Sequence, residues 1–176
     1  MVPAFVWAVP RPLAALTLVA IAAFALLVEL SRRRLRPVRL WFLRRTRAML
    51  RYRERRGLAG ATWMAIAYAA AAVVFPTPVA VAAMLYTALG DAVAALVGRR
   101  WGRARLPGGR SVEGTVAGFG TNLMVGLAVP GIGFVAAAVG AATAALLEVS
   151  DLPPDDNLWV VLGGGAALWL ALLAGG

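Results

Sequence analysis

Residues 61–98 read ATWMAIAYAAAAVVFPTPVAVAAMLYTALGDAVAALVG, and Asp91 is the only charge among them. As one helix this run would be roughly 57 Å long, about twice the ~30 Å hydrocarbon core of a bilayer. It must therefore fold back on itself. Pro76-Thr77-Pro78 is the place, because proline ends a helix. Three further runs, 12–28, 114–147 and 158–176, are equally poor in charge, and 114–147 divides at Pro130-Gly131-Ile132-Gly133. The chain is 61% hydrophobic with a mean hydropathy of +0.79, whereas a soluble domain is nearer half apolar. The expectation is an all-α, polytopic membrane bundle in a single domain, 1–176, with about six spans: 12–30, 61–75, 79–98, 112–129, 132–149 and 158–174. The span 61–75 is short against the usual ~20 residues.

Charge sets the topology. Of the 18 basic residues, all arginine, twelve fall in 32–56 and five in 99–110. The positive-inside rule puts both segments in the cytoplasm. Two spans separate them, as a shared side requires. Segments 31–60, 99–111 and 150–157 are then cytoplasmic and both termini lie outside, in a prokaryotic cytoplasmic membrane. Only Arg11 precedes the first apolar run while Arg32, Arg33 and Arg34 follow it, the reverse of a cleaved signal peptide. Arg44, Arg47, Arg51 and Arg55 share one helical face next to Leu40, Trp41, Phe42 and Leu43. That pattern suits an interfacial helix on anionic lipid headgroups. The net charge of +10 thus has a topological account, and no nucleic-acid motif accompanies it, so no nucleic-acid partner is expected.

Cysteine and histidine are absent. Disulfides, zinc sites built on these ligands and a catalytic histidine are excluded. A general base must be a carboxylate, a deprotonated tyrosine or water. The arginine usage has a bland account in a GC-rich genome, yet the planar guanidinium also suits phosphate.

The carboxylates are Glu29, Glu54, Asp91, Glu113, Glu148, Asp151, Asp155 and Asp156. Asp91 lies eight residues, about 12 Å, inside the cytoplasmic end of its span. A charge at mid-membrane costs roughly 2.5–3.5 kcal/mol, so it marks a working site. Glu113 follows Ser111 and reads equally as a first-turn acid behind an N-cap or as a site carboxylate. Glu54 and Asp151 read as solvated. Glu29 and Glu148 either face arginines or join the site. Small residues at Gly90, Ala94, Ala95 and Gly98, and at Gly114 and Gly118 beside Asn122, suit close packing of two spans around Asp91. Gly98-Arg99-Arg100-Trp101-Gly102-Arg103 and Gly108-Gly109-Arg110-Ser111 resemble a phosphate cradle in front of a helix N-terminus, although no G-x-x-x-x-G-K-[ST] pattern is present.

In order and at these spacings, Gly90-Asp91-x-x-Ala94-x-x-x-Gly98-Arg99-x-x-Gly102-Arg103 and Arg110-Ser111-x-Glu113-Gly114-Thr115 resemble the CTP-dependent membrane lipid kinases. That family includes dolichol, phytol and farnesol kinases and a CTP-dependent diacylglycerol kinase, and is related to phosphatidate cytidylyltransferases. Glu54 with Gly60-Ala61-Thr62, and Asp155-Asp156-Asn157-Leu158, extend the likeness over about residues 54–158. The usual lysine of the K-S-x-E-G-T box is Arg110 here. The short N-terminal region favours the compact, phytol-kinase-like branch. The cytidylyltransferase box G-G-x-x-D-R-x-D is missing.

The resemblance implies transfer of the CTP γ-phosphoryl group to the hydroxyl of a membrane lipid alcohol. It implies nucleotide contacts from Gly98, Arg99, Gly102, Arg103, Arg110, Ser111, Gly114 and Thr115. It also implies catalysis by Asp91 and Glu113, and Mg²⁺ held by Asp91, Glu113, Asp155 and Asp156. Asn157, Asn122, Glu54 and Thr62 are accessory candidates. Formation of a CDP-lipid is the alternative chemistry, and a transporter or scaffold using Asp91 as an ion relay is the non-enzymatic one. Glycine-rich faces suit a homodimer.

Overall fold

A computed structural model describes residues 1–38, 40, 44, 58–106 and 109–175, and among these it is all-helical. A short α1 (Val2–Ala8) leads into α2 (Arg11–Arg34). Then come α3 (Gly60–Val74) and α4 (Thr77–Leu85). A wide π-helical turn, Tyr86–Asp91, joins α4 to α5 (Ala92–Trp101) in one continuous rod. The series ends with α6 (Val112–Ala128), α7 (Phe134–Ser150) and α8 (Asp156–Gly175). The one β-type pairing among the described residues is an isolated bridge between Arg105 and Ser111.

Each expected span overlaps a helix, but their lengths differ. Three are long and apolar enough to cross a membrane: Arg11–Arg34, Thr77–Trp101 and Asp156–Gly175. α3 has 15 residues and α6 and α7 have 17 each, which makes them about 22–26 Å long, short of the ~30 Å hydrocarbon core. Glu54 and most of the arginine face Arg44–Arg47–Arg51–Arg55 lie outside the described residues.

Local chemistry explains the boundaries. Phe75 is extended (φ −90°, ψ 152°) before Pro76, which closes α3, and Pro78 in the first turn of α4 gives up an N–H that had no partner there. Ser111 caps α6 by accepting from the N–H of Gly114 at 3.1 Å. Asp155 starts α8 by accepting from the backbone N–H of Asn157 at 3.1 Å and from its Nδ2 at 2.8 Å.

α2 holds α3 at both ends. Near the start of α2, Arg11 Nη2 donates to the carbonyl of Val73 at 2.9 Å, serving an orphan carbonyl of the last turn of α3. Toward the other end, the buried Glu29 accepts from the N–H of Ala59 at 3.0 Å and pairs with the buried Arg32. Thr62 also lies against Glu29, at 3.5 Å. Thr62 therefore belongs to this clasp rather than to the cavity described below.

The core is built from small side chains. Ala67, Ala71, Ala82, Ala83, Ala137 and Ala144 are inaccessible, with Met84, Tyr86 and Leu168 as the large residues between them. The closest approach that positions the site is between α5 and α6. A Cβ on Gly114 would stand 2.6 Å from the carbonyl oxygen of Ala94, which is backbone and cannot yield, and 3.1 Å from Gly98 Cα. One layer deeper, Gly90 leaves the space that Asn122 fills: a Cβ there would meet Asn122 Oδ1 at 2.1 Å.

Gly114→Ala is expected to destabilise the bundle by about 1–3 kcal/mol, as overpacking does. Gly120→Ala, whose Cβ would meet nothing within 4 Å, should leave stability unchanged or raise it by about 0.4–1 kcal/mol. Thermal unfolding of both variants in one detergent checks the pair.

Candidate functional site

A cavity of about 490 Å³ opens at the end of the bundle where α5, α7 and the 102–111 loop meet the start of α8. One wall comes from Asp91, Ala94, Ala95 and Gly98, with Gly114 and Thr115 of α6 beside it. A second wall carries Arg99, Arg105, Gly109, Arg110 and Ser111. Glu148 and Asp151, at the end of α7, and Asp156, at the start of α8, complete it.

Arg110 is the centre of this arrangement. Its Nη1 donates to Glu148 Oε1 and lies 3.5 Å from Asp91 Oδ1, while Nη2 donates to Asp156 Oδ2 at 2.5 Å. One guanidinium thus joins carboxylates from the π turn, from α7 and from α8, the last two 38 and 46 residues away in sequence. The side chains of Glu148 and Asp156 are only 7% and 9% exposed, so each needs this partner. Asp91 differs: 41% of its side chain is open, leaving oxygen available to an incoming group.

The loop that presents Arg110 is held by a small hairpin-like set of bonds. Val112 N donates to Ala104 O at 3.0 Å, Leu106 N to Arg110 O at 2.8 Å and Gly109 N to Leu106 O at 3.1 Å. Gly109 has φ +83°, the left-handed region glycine tolerates. Arg105 Nη1 donates to Gly109 O at 3.3 Å, so Arg105 and Arg110 flank one face of the cavity. The carboxylate of Glu113 accepts from the N–H groups of Arg103 and Ala104 at 3.0 and 3.4 Å, at the base of the same loop.

The sequence-predicted residues divide accordingly. Asp91, Gly98, Arg99, Arg110, Ser111, Gly114, Thr115 and Asp156 line the cavity. Gly102, Arg103, Glu113, Asp155, Asn157, Asn122 and Thr62 do not. Gly102 packs against Ser111 Oγ, Arg103 contributes its backbone to the loop, and Asp155 and Asn157 bond to each other. Asn122 is buried beside Gly90 with neither side-chain polar atom bonded. Three charged lining residues had no assigned role in the expected set: Arg105, Asp151 and Glu148, the last read as facing arginines or joining the site. Glu148 had one signal in the sequence, a lone carboxylate at the end of an alanine-rich apolar run. Asp151, read as solvated, takes the left-handed position (φ 44°) that ends α7 and borders the cavity.

Of the four carboxylates expected to hold Mg²⁺, only Asp91 and Asp156 reach the cavity. No group of three or more acidic, histidine or cysteine side chains among the described residues is disposed to hold a metal ion. The carboxylates that do converge share Arg110 instead. They remain hard oxygen donors of the kind Mg²⁺ takes.

No family model, curated protein or solved structure matches this chain.

Arg110→Met should cost about 3–5 kcal/mol of stability, because it removes the cation from two buried carboxylates. Adding Glu148→Gln and Asp156→Asn to that variant should recover most of the loss, which denaturant unfolding of the single and triple variants measures.

Proposed function

We propose that this protein is an integral membrane CTP-dependent kinase that phosphorylates the hydroxyl of a membrane lipid alcohol, of the phytol or polyprenol type or a diacylglycerol. The observation that carries the reading is the cavity's two-part wall: a small-residue helical face bearing the open carboxylate Asp91, and beside it an arginine–glycine loop. A lipid alcohol is apolar except at its hydroxyl, and a triphosphate is anionic throughout. A site joining the two needs this division. The ordered likeness of residues 54–158 to the CTP-dependent lipid kinases supports the choice of donor.

In this reading the bundle spans the cytoplasmic membrane about six times, with α3, α6 and α7 as its shorter members and the cavity on the cytoplasmic side. Arg99, Arg105 and Arg110 donate to the phosphate oxygens. Arginine forks suit this task because they bond oxygens in pairs. Asp91 accepts the proton of the acceptor hydroxyl as its oxygen attacks the γ-phosphorus. The bond from that phosphorus to the β-bridging oxygen breaks and CDP leaves. Four carboxylates and three arginines line the cavity, so a triphosphate needs accompanying cations to enter it. With Asp91 serving as base, Mg²⁺ entering with CTP would be held by Asp156 and would neutralise phosphate charge. Phosphoryl transfer depends mainly on positioning and charge stabilisation, which these side chains supply.

Purified protein in detergent, given CTP labelled in its γ-phosphate and each of phytol, farnesol, a polyprenol and diacylglycerol, should yield one labelled lipid. No labelled lipid from any acceptor overturns the reading. Label entering the lipid from the α-phosphate, with pyrophosphate released, would mark CDP-lipid formation instead. Asp91→Asn is expected to lower kcat by about 10²–10⁴-fold, the usual worth of a positioned base. Its unfolding temperature should stay near that of wild type, since the 3.5 Å contact to Arg110 is the weakest of the three.

A further inference from the structure

Glu113 sits in the first turn of α6, two residues after the capping Ser111. A glutamate that serves its own helix cap stands one position later and reaches back to the cap residue. Glu113 instead sends its carboxylate across to the N–H groups of Arg103 and Ala104, ten and nine residues earlier. These are the residues where the chain has just left α5. The Val112 N to Ala104 O bond and the Arg105–Ser111 bridge lie on the same rung. Together they close the loop at its base and fix the two arginines it carries, Arg105 and Arg110, on the cavity wall. The carboxylate itself does not line the cavity.

We infer that Glu113 is the positioning residue of the nucleotide loop: it sets phosphate affinity by holding the loop base, and it neither ligates metal nor transfers a proton. This rests on the nucleotide reading of the cavity given above. The tie needs two things of the side chain, an oxygen acceptor and the full length of a glutamate. Its negative charge strengthens the two bonds without setting their reach, whereas a metal ligand or acid depends on that charge.

The test compares Glu113→Gln with Glu113→Asp in the full-length protein. Glutamine keeps reach and acceptor and loses charge; aspartate keeps charge at the helix N-terminus and loses reach. Glu113→Gln should retain kcat and the KM for CTP within about threefold, while Glu113→Asp should raise the KM for CTP about tenfold with kcat little changed, the signature of weakened ground-state binding. In hydrogen exchange, the amides of Arg103 and Ala104 should be protected in wild type and Glu113→Gln and exposed in Glu113→Asp. The reverse ranking, with Glu113→Gln losing kcat a hundredfold or more, overturns the inference, and so do two variants that both match wild type. If wild type shows no CTP-dependent thermal stabilisation, the kinase reading fails separately. The exchange rates then still decide the tie, and equal protection in wild type and Glu113→Asp refutes it.

Discussion

One guanidinium surrounded by three carboxylates organises the end of this molecule where chemistry is possible. Arg110 reaches Glu148 on α7, Asp156 on α8 and, at longer range, Asp91 where the π turn ends. Two of these acids are nearly inaccessible, and a buried carboxylate is tolerated only against a partner. The 102–111 loop, which delivers the arginine, is thereby tied to helices far away in sequence. Apolar packing of alanine on glycine gives the bundle little directional preference, so this polar centre does much to fix how its helix ends meet.

The placement of helices was largely legible from residues with strong local rules. Pro76-Thr77-Pro78 divides the long apolar run, and Ser111 starts α6, because missing donors and capping oxygens act over one turn. The π turn before Asp91 left no such mark, since YTALGD carries no breaker beyond Gly90. Its consequence is local: a wider turn re-aims the residue that follows, and such turns gather at functional sites.

The site was legible in outline only. An acid in an apolar run and an arginine–glycine loop pointed to Asp91 and Arg110. Which further acids join them depends on side-chain direction. Asp155 and Asp156 are neighbours in sequence and both accept from the backbone N–H of Asn157, yet Asp155 goes on to its Nδ2 and Asp156 to Arg110. Glu113 and Glu148 looked alike as acids at helix ends. One reaches back along its own loop and the other across the cavity. Spacing along a chain carries no information about such long-range partners until the helices are packed.

The contact of α5 with α6 at Gly114 and Ala94 gives the helical wall of the cavity an unusual mechanical character. A wall of long side chains breathes as rotamers exchange, whereas a wall of main chain and methyl groups has almost no rotamers to exchange. The gauge of the opening beside Asp91 is thus a property of helix separation. Adaptation to a bulkier or slimmer guest would proceed by single methyl-sized steps at Ala94, Ala95 or Thr115 rather than by repacking.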